Sequence, residues 1–112
     1  MTVQEEELML AKALELHNAN LGDSGRVYAD PNYDWFPGGV FSSKEPLAML
    51  SLIEKFNIVS WKYKDRVFAA PYYDMDETSI FEDDFDSKFV KSGDNRAEAV
   101  HNCAVQILKS QT

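Results

Sequence analysis

Apolar residues recur at helical spacing in three stretches of the chain, and each stretch predicts an amphipathic helix. The first helix is expected from about residue 3 to about residue 19, and the third from about 96 to 109. The second is expected to begin near residue 42 or 43, where Ser42 and Glu45 fit a capping box, and to end at Asn57.

A strand hairpin is predicted between the second and third helices. Residues 58–63 and 66–70 are rich in β-branched and aromatic side chains, and Lys64-Asp65 between them fits a two-residue turn. Pro71 has no N–H to donate to a strand neighbour. The second hairpin strand is therefore expected at an edge of the sheet, or with a bulge at Pro71.

Two more strands are expected, a short one at 26–29 and another at 87–91, before a helix capped by Asp94 or Asn95. Strands joined by tight turns predict antiparallel pairing. The expected fold class is α+β, with an antiparallel β-sheet packed between helices as a helix–sheet–helix sandwich. The 112 residues are expected to form a single domain, 1–112, in which Trp61 is substantially buried.

Several local patterns occur in an order known from one protein family. They are the end of the first helix before an aromatic loop, Ser42…Pro46-Leu47-Ala48…Leu52-Ile53-Glu54-Lys55, the hairpin around Trp61, and Arg96-Ala97-Glu98-Ala99-Val100…Ala104-Val105. From about Leu8 to Leu108 the chain thus resembles the phage ABA sandwich domain family of small phage-encoded proteins. The family's last helix carries an Ala-Ile-Cys-type step, whereas Val100-His101 stands here. The resemblance implies the sandwich fold and a phage origin, and no active site.

An aromatic loop is predicted at residues 22–41, which glycines and prolines interrupt repeatedly. Its aromatic residues are Tyr28, Tyr33, Trp35, Phe36 and Phe41. A loop of this composition packs on the core or forms a binding surface.

A second distinctive loop, residues 74–86, contains seven acidic residues and no basic residue. It begins like an EF-hand, but Ser79 replaces the glycine and Phe85 replaces the final glutamate, which argues against calcium. Apolar Ile80, Phe81 and Phe85 alternate with the acids. Both a solvated loop and a protein-docking surface fit this pattern. The residues predicted to bind a partner are Asp76, Glu77, Phe81, Glu82, Asp83, Asp84, Phe85, Trp35 and Phe36.

Catalytic and metal-binding patterns are weak. His17 is expected on the apolar stripe of the first helix, and His101 and Cys103 point about 200° apart on the third. The single cysteine excludes an intrachain disulfide, and no zinc, phosphate-loop or nucleophile-elbow spacing occurs. We therefore expect no catalytic residue, metal or cofactor.

The formal net charge of −8 disfavours direct nucleic-acid binding, because phosphates would be repelled. It suits docking on a host protein with a basic surface. The longest apolar run is far shorter than the roughly 20 residues of a membrane span. The N-terminal sequence also lacks the pattern of a signal peptide, so a cytoplasmic location is expected.

The leading functional hypothesis is a non-enzymatic, phage-encoded accessory protein that inhibits a host protein, such as a restriction or other anti-phage component. The alternatives are a small-ligand-binding protein or enzyme with a pocket near the aromatic loop, and a phage particle or assembly component. The residues favoured for such a pocket are His17, Tyr33, Trp35 and His101. The excess of aromatic residues also predicts a homodimer.

Overall fold

The computed structural model describes residues 2–72 and 89–111, which form three helices and six strands. In chain order these elements are α1 (Val3–Ala13), β1 (Asn20–Leu21), β2 (Val27–Ala29), β3 (Gly39–Phe41), α2 (Pro46–Phe56), β4 (Ile58–Tyr63), β5 (Arg66–Pro71), β6 (Lys91–Gly93) and α3 (Arg96–Ser110). Strands β1-β2-β3 form one antiparallel sheet, and β4-β5-β6 form another. The predicted α+β class, with antiparallel strands packed against helices, is confirmed. The strands divide between two small sheets instead of sharing one.

Helix α1 is shorter than the sequence predicted. Thr2 and Glu5 form a capping box at its start, and the helix ends at Ala13. Glu15 and Asn18 have φ angles of 62° and 56°, in the left-handed region that a continuing helix does not use. The expectation that His17 lies on a helical apolar stripe is therefore wrong, and His17 is exposed beyond the helix.

Helix α2 begins at Pro46, with Glu45 as an N-cap that makes no side-chain hydrogen bond. The capping box predicted from Ser42 and Glu45 is therefore wrong. Pro46 suits the first helical position, where an N–H would have no helical partner. Asn57 ends the helix as predicted, in the left-handed conformation with φ 54° and ψ 51°.

The predicted hairpin is present, because Tyr63 pairs with Arg66 across the turn Lys64-Asp65. Its second strand, β5, lies in the middle of its sheet, so the predicted edge position is wrong. Pro71 is nevertheless accommodated because it is the last residue of β5, beyond the residues that pair with β6. Strand β6 begins at Lys91, so Phe89 and Val90 of the strand predicted at 87–91 precede it, and Ser87 and Lys88 lie outside the described residues. The short strand predicted at 26–29 is confirmed as β2.

Helix α3 is the centre of the core, since it packs on all three strands of the second sheet and on α1 and α2. The Asn95 side chain accepts a hydrogen bond from the Glu98 N–H at 2.9 Å and caps the helix. Leu10 of α1 and Leu52 of α2 are fully buried against this core. Trp61 is only half-buried, and its ring stacks on Phe68 with 5.9 Å between centroids.

Candidate functional site

The aromatic loop is held by a tight turn and by contacts between rings. Asn32 and Phe36 exchange backbone hydrogen bonds of 2.7 and 2.8 Å, which fix the turn that presents Trp35. The Trp35 ring lies 5.6 Å from Phe36 and 6.5 Å from Phe41, in tilted and edge-on arrangements. Such pairs are favourable, so the cluster sets the position of the Trp35 ring.

A groove of about 440 Å³ opens between this aromatic cluster and the start of α2. We call it the Trp35 groove, after the residues that dominate its lining: Trp35, Phe36, Val40, Phe41, Pro46 and Leu47. Val40 is 47% exposed and Leu47 is 55% exposed, so the rim is apolar as well. Leu50, three residues after Leu47 on α2, extends this exposed apolar surface.

Gly38 shapes one side of the groove. Its φ angle is 99°, a conformation that residues with a Cβ rarely adopt. A Cβ atom at this position would also lie 2.9 Å from Cγ of Pro31. Both observations show that the chain can approach Pro31 here only because residue 38 is glycine.

Acidic side chains surround Trp35. The ring also borders two shallower depressions, and among the described residues the three concavities are lined by four carboxylates and one lysine. These charged residues are Glu15, Asp34, Glu45, Glu54 and Lys55. A further depression shares Val40, Phe41 and Ser42 with the groove, and its charged lining residues are Glu7, Arg26 and Lys44. The apolar groove therefore has acidic side chains on the Trp35 side and charges of both signs on the Val40 side.

The structure separates the predicted site residues. Trp35 is half-buried and lines the groove, and Phe36 is buried at its base. Asp76, Glu77, Phe81, Glu82, Asp83, Asp84 and Phe85 lie outside the described residues. Tyr33 is fully exposed, and the described lining of the groove includes neither histidine. The four residues favoured for a ligand pocket are thus not all brought together in this groove.

His101 belongs to a polar cluster next to the groove, in which Ser43 and His101 are buried, the glutamates are partly buried and the lysine is exposed. We call it the Ser43 network: Ser43, His101, Glu6, Glu7 and Lys109. Glu7 accepts two hydrogen bonds from Ser43, one from its N–H and one from its hydroxyl, both at 2.7 Å. The hydroxyl oxygen of Ser43 lies 2.7 Å from Nδ1 of His101. Nε2 of His101 lies 3.1 Å from Oε1 of Glu6, whose other oxygen is 3.6 Å from Nζ of Lys109.

The ionisable groups of this network shift one another's pKa values. Burial lowers the pKa of His101, but hydrogen bonds to Glu7 and Glu6 outweigh it and raise the pKa above its ordinary 6.5. Burial likewise raises the pKa of Glu7, but hydrogen bonds from His101 and Ser43 outweigh it and lower the pKa below 4.5. The two carboxylates thus favour the protonated over the neutral form of His101.

Serine, histidine and glutamate in contact invite comparison with a hydrolase triad, and the geometry argues against one. Ser43 is 1% exposed and His101 is 4% exposed, so a substrate has no access to the hydroxyl. The Ser43 hydroxyl also donates to Glu7 instead of to His101, and a protonated His101 would have no free lone pair to act as a base. The network is suited to holding structure.

Sequence reasoning missed this network, although one indication of it was present. His101 lies four residues after Ala97 and three before Ala104, which places it on the apolar face of α3. A histidine on such a face needs polar partners, because a buried polar group without hydrogen bonds is costly. Nothing in the local sequence indicated that Ser43 and Glu7 were those partners.

Among residues 2–72 and 89–111, no group of three His, Cys, Asp or Glu side chains is arranged to hold a metal ion. No helix in the described part of the chain is long and apolar enough to cross a membrane. Comparisons with protein families, curated proteins and solved structures found no match to this chain.

Proposed function

We propose that this protein is a non-enzymatic binding protein, and that the Trp35 groove receives an apolar side chain of a partner protein. The observation that carries the proposal is an apolar groove of about 440 Å³ whose rim residues Val40 and Leu47 are themselves about half exposed. Leaving apolar surface in water is unfavourable, so a contiguous exposed patch is typical of a binding site.

Charge defines the partner's chemistry. The groove itself is lined by one charged residue, Glu45. The neighbouring depressions contain both acidic and basic side chains: Glu7, Glu15, Asp34, Glu54, Arg26, Lys44 and Lys55. The formal net charge of the chain is −8, so a basic partner would gain electrostatic steering towards the protein, and an acidic one would be repelled. The proposed ligand is therefore a protein segment that presents a large apolar side chain flanked by lysine or arginine.

The wider biological role follows from the sequence resemblance. We propose a phage-encoded inhibitor of a host protein with a basic surface, acting in the host cytoplasm without direct binding to nucleic acid or membrane. The acidic segment 74–86 would add steering charge and the anchors Phe81 and Phe85. The predicted homodimer belongs to the same proposal, and sedimentation at tens of micromolar tests it.

A random peptide library panned against the folded protein tests the groove even before a natural partner is identified. We expect enriched peptides to carry an aromatic or large aliphatic residue next to lysine or arginine. Their addition should shift backbone amide NMR signals around Val40 and Leu47. Enrichment of acidic peptides, or signal shifts confined to other surfaces, would contradict the proposal.

A small apolar ligand is the second candidate. The groove volume falls within the roughly 300–1,000 Å³ range of small-molecule sites, and three aromatic rings contribute to its lining. A fragment screen by NMR distinguishes this function. Fragments that bind this groove at micromolar concentrations, together with a failed peptide selection, would favour a ligand-binding protein.

A further inference from the structure

The Ser43 network and the Trp35 groove share one short piece of chain. Ser42 and Glu45 line the groove, and Ser43 between them turns inward into the network. Ser43 also lies two residues after Phe41, which contacts the Trp35 ring edge-on. We therefore expect a displacement of Ser43 to move the groove wall as well.

The network fixes this piece of chain from two sides. Glu7 of α1 accepts both hydrogen bonds from Ser43, and His101 of α3 contacts the same hydroxyl. Helix α2 has no side-chain N-cap hydrogen bond of its own at Glu45. Besides local hydrogen bonds from the Lys44 and Glu45 N–H groups to Ser42, the segment before α2 is thus held by side chains of α1 and α3.

Counting hydrogen atoms shows that these contacts depend on protonation. Three side-chain contacts need a hydrogen: Nδ1 of His101 to Ser43, Nε2 of His101 to Glu6, and the Ser43 hydroxyl to Glu7. An imidazolium and a hydroxyl supply three hydrogens. A neutral imidazole leaves two, so in one of the three contacts two acceptor atoms then face each other without a hydrogen.

We propose that Ser43 and His101 are positioning residues for the Trp35 groove, and that the proton on His101 controls how firmly the groove wall is held. The groups that face His101 are Glu6 and Glu7 of α1 and the uncharged Ser43 hydroxyl, with Lys109 of α3 behind Glu6. Loss of the His101 proton removes one contact, so the 42–45 segment is held less firmly while the Ser43 N–H still donates to Glu7. The inference rests on the proposed function only in treating this groove as the binding site.

The experiment uses 5-fluorotryptophan incorporated into the full chain and ¹⁹F NMR between pH 6 and 9.5. The chain has two tryptophans, so Trp35 reports on the groove wall and Trp61, on β4, serves as the internal reference. His101 is titrated in parallel through its ring carbon signals, with His17→Gln used to assign the two histidines. We expect the Trp35 signal to move with the same midpoint as His101, and Trp61 to move much less.

Two variants separate the network from other groups that titrate in this range, such as the α-amino terminus. His101→Gln should abolish the pH response of Trp35. Ser43→Ala removes only the linking oxygen, so His101 should still titrate while Trp35 no longer follows it. The second variant keeps the test decisive if His101→Gln does not fold.

An unchanged Trp35 signal over the whole range would overturn the inference. So would a Trp35 midpoint that differs from that of His101, or a response that persists in Ser43→Ala. Because no partner is used, these results are independent of the proposed function. A failed peptide selection would remove the docking proposal and leave the coupling between His101 and Trp35 standing.

Discussion

The Ser43 network and the Trp35 groove invert the usual arrangement of polar and apolar residues. In the network a histidine and two glutamates lie close together, mostly shielded from solvent, and a serine is 1% exposed. In the groove, a few residues away, Val40 and Leu47 are about half exposed. The two regions therefore have different roles. The buried polar cluster fixes a position, whereas the exposed apolar surface is left to be covered by something else.

The largest effect should follow from removing one side of the network. Glu7→Ala leaves the buried imidazolium and both Ser43 donors without their main acceptor, so we expect a loss of about 3 kcal/mol in the free energy of unfolding. Urea denaturation measures it, with the exposed Glu54→Ala on α2 as the matched control, expected within about 0.5 kcal/mol. Similar losses in both variants would show that the network contributes little.

A double-mutant cycle that combines Glu7→Ala with His101→Ala measures the coupling between these two residues. Glu7 and His101 contact each other, so their effects on the free energy of unfolding should not add. The double variant should lose clearly less stability than the sum of the single variants, because an unpaired buried charge is no longer present. Simple additivity would mean that Glu7 and His101 stabilise the fold independently.

A smaller loss is expected at the border of the groove. Gly38→Ala places a Cβ close to Pro31 at a φ angle of 99°, so we expect a cost of about 1–3 kcal/mol. Gly39→Ala is the informative control, because its φ angle is 98° but its Cβ would meet no atom within 4 Å. A larger cost at Gly38 than at Gly39 isolates the contact with Pro31. Equal costs would mean that backbone strain alone matters.

The pH dependence of stability gives a more gradual test. Glu7 has a lowered pKa, so its contribution is present above 4.5 and is lost as the pH falls through its folded value. His101 has a raised pKa, so its contribution is complete below 6.5 and is lost as the pH rises through its folded value. The contribution of this pair should therefore be greatest between about pH 4.5 and 6.5. Thermal unfolding of the native protein and of the Glu7→Gln, His101→Gln double variant, compared across pH 3–9, measures this difference, and equal profiles would contradict it.

Elements stabilised by nearby residues were predictable from the sequence. The hairpin turn Lys64-Asp65, the stop at Asn57 and the cap at Asn95 depend on residues within a few positions, and all three are confirmed. The end of α1 was missed because Glu15 and Asn18 adopt left-handed conformations that their residue types permit but do not require.

The candidate site was only partly predictable. The aromatic composition of the loop predicts that Trp35 takes part in binding. The position of Leu47 on the opposite side of the groove depends on how α2 packs, which the local sequence does not predict. The local sequence around Ser43 predicts only a helix cap, whereas the hydrogen-bond partners Glu7 and His101 are 36 and 58 residues away in sequence. Contacts over such distances follow from the fold and leave no local pattern. The role predicted for the acidic segment 74–86 remains a prediction, because it lies outside the described residues.

The most direct test of the central claim measures how a peptide selected on this protein binds three forms of it by calorimetry. The forms are the native chain, Leu47→Glu in the groove rim, and Leu21→Glu at an exposed apolar site on β1. All three should fold equally well, because both leucines are about half exposed. Leu47→Glu should weaken binding at least about tenfold, the loss of one buried anchor, and Leu21→Glu should leave it unchanged. Equal affinities for all three forms would show that the Trp35 groove is not the binding site.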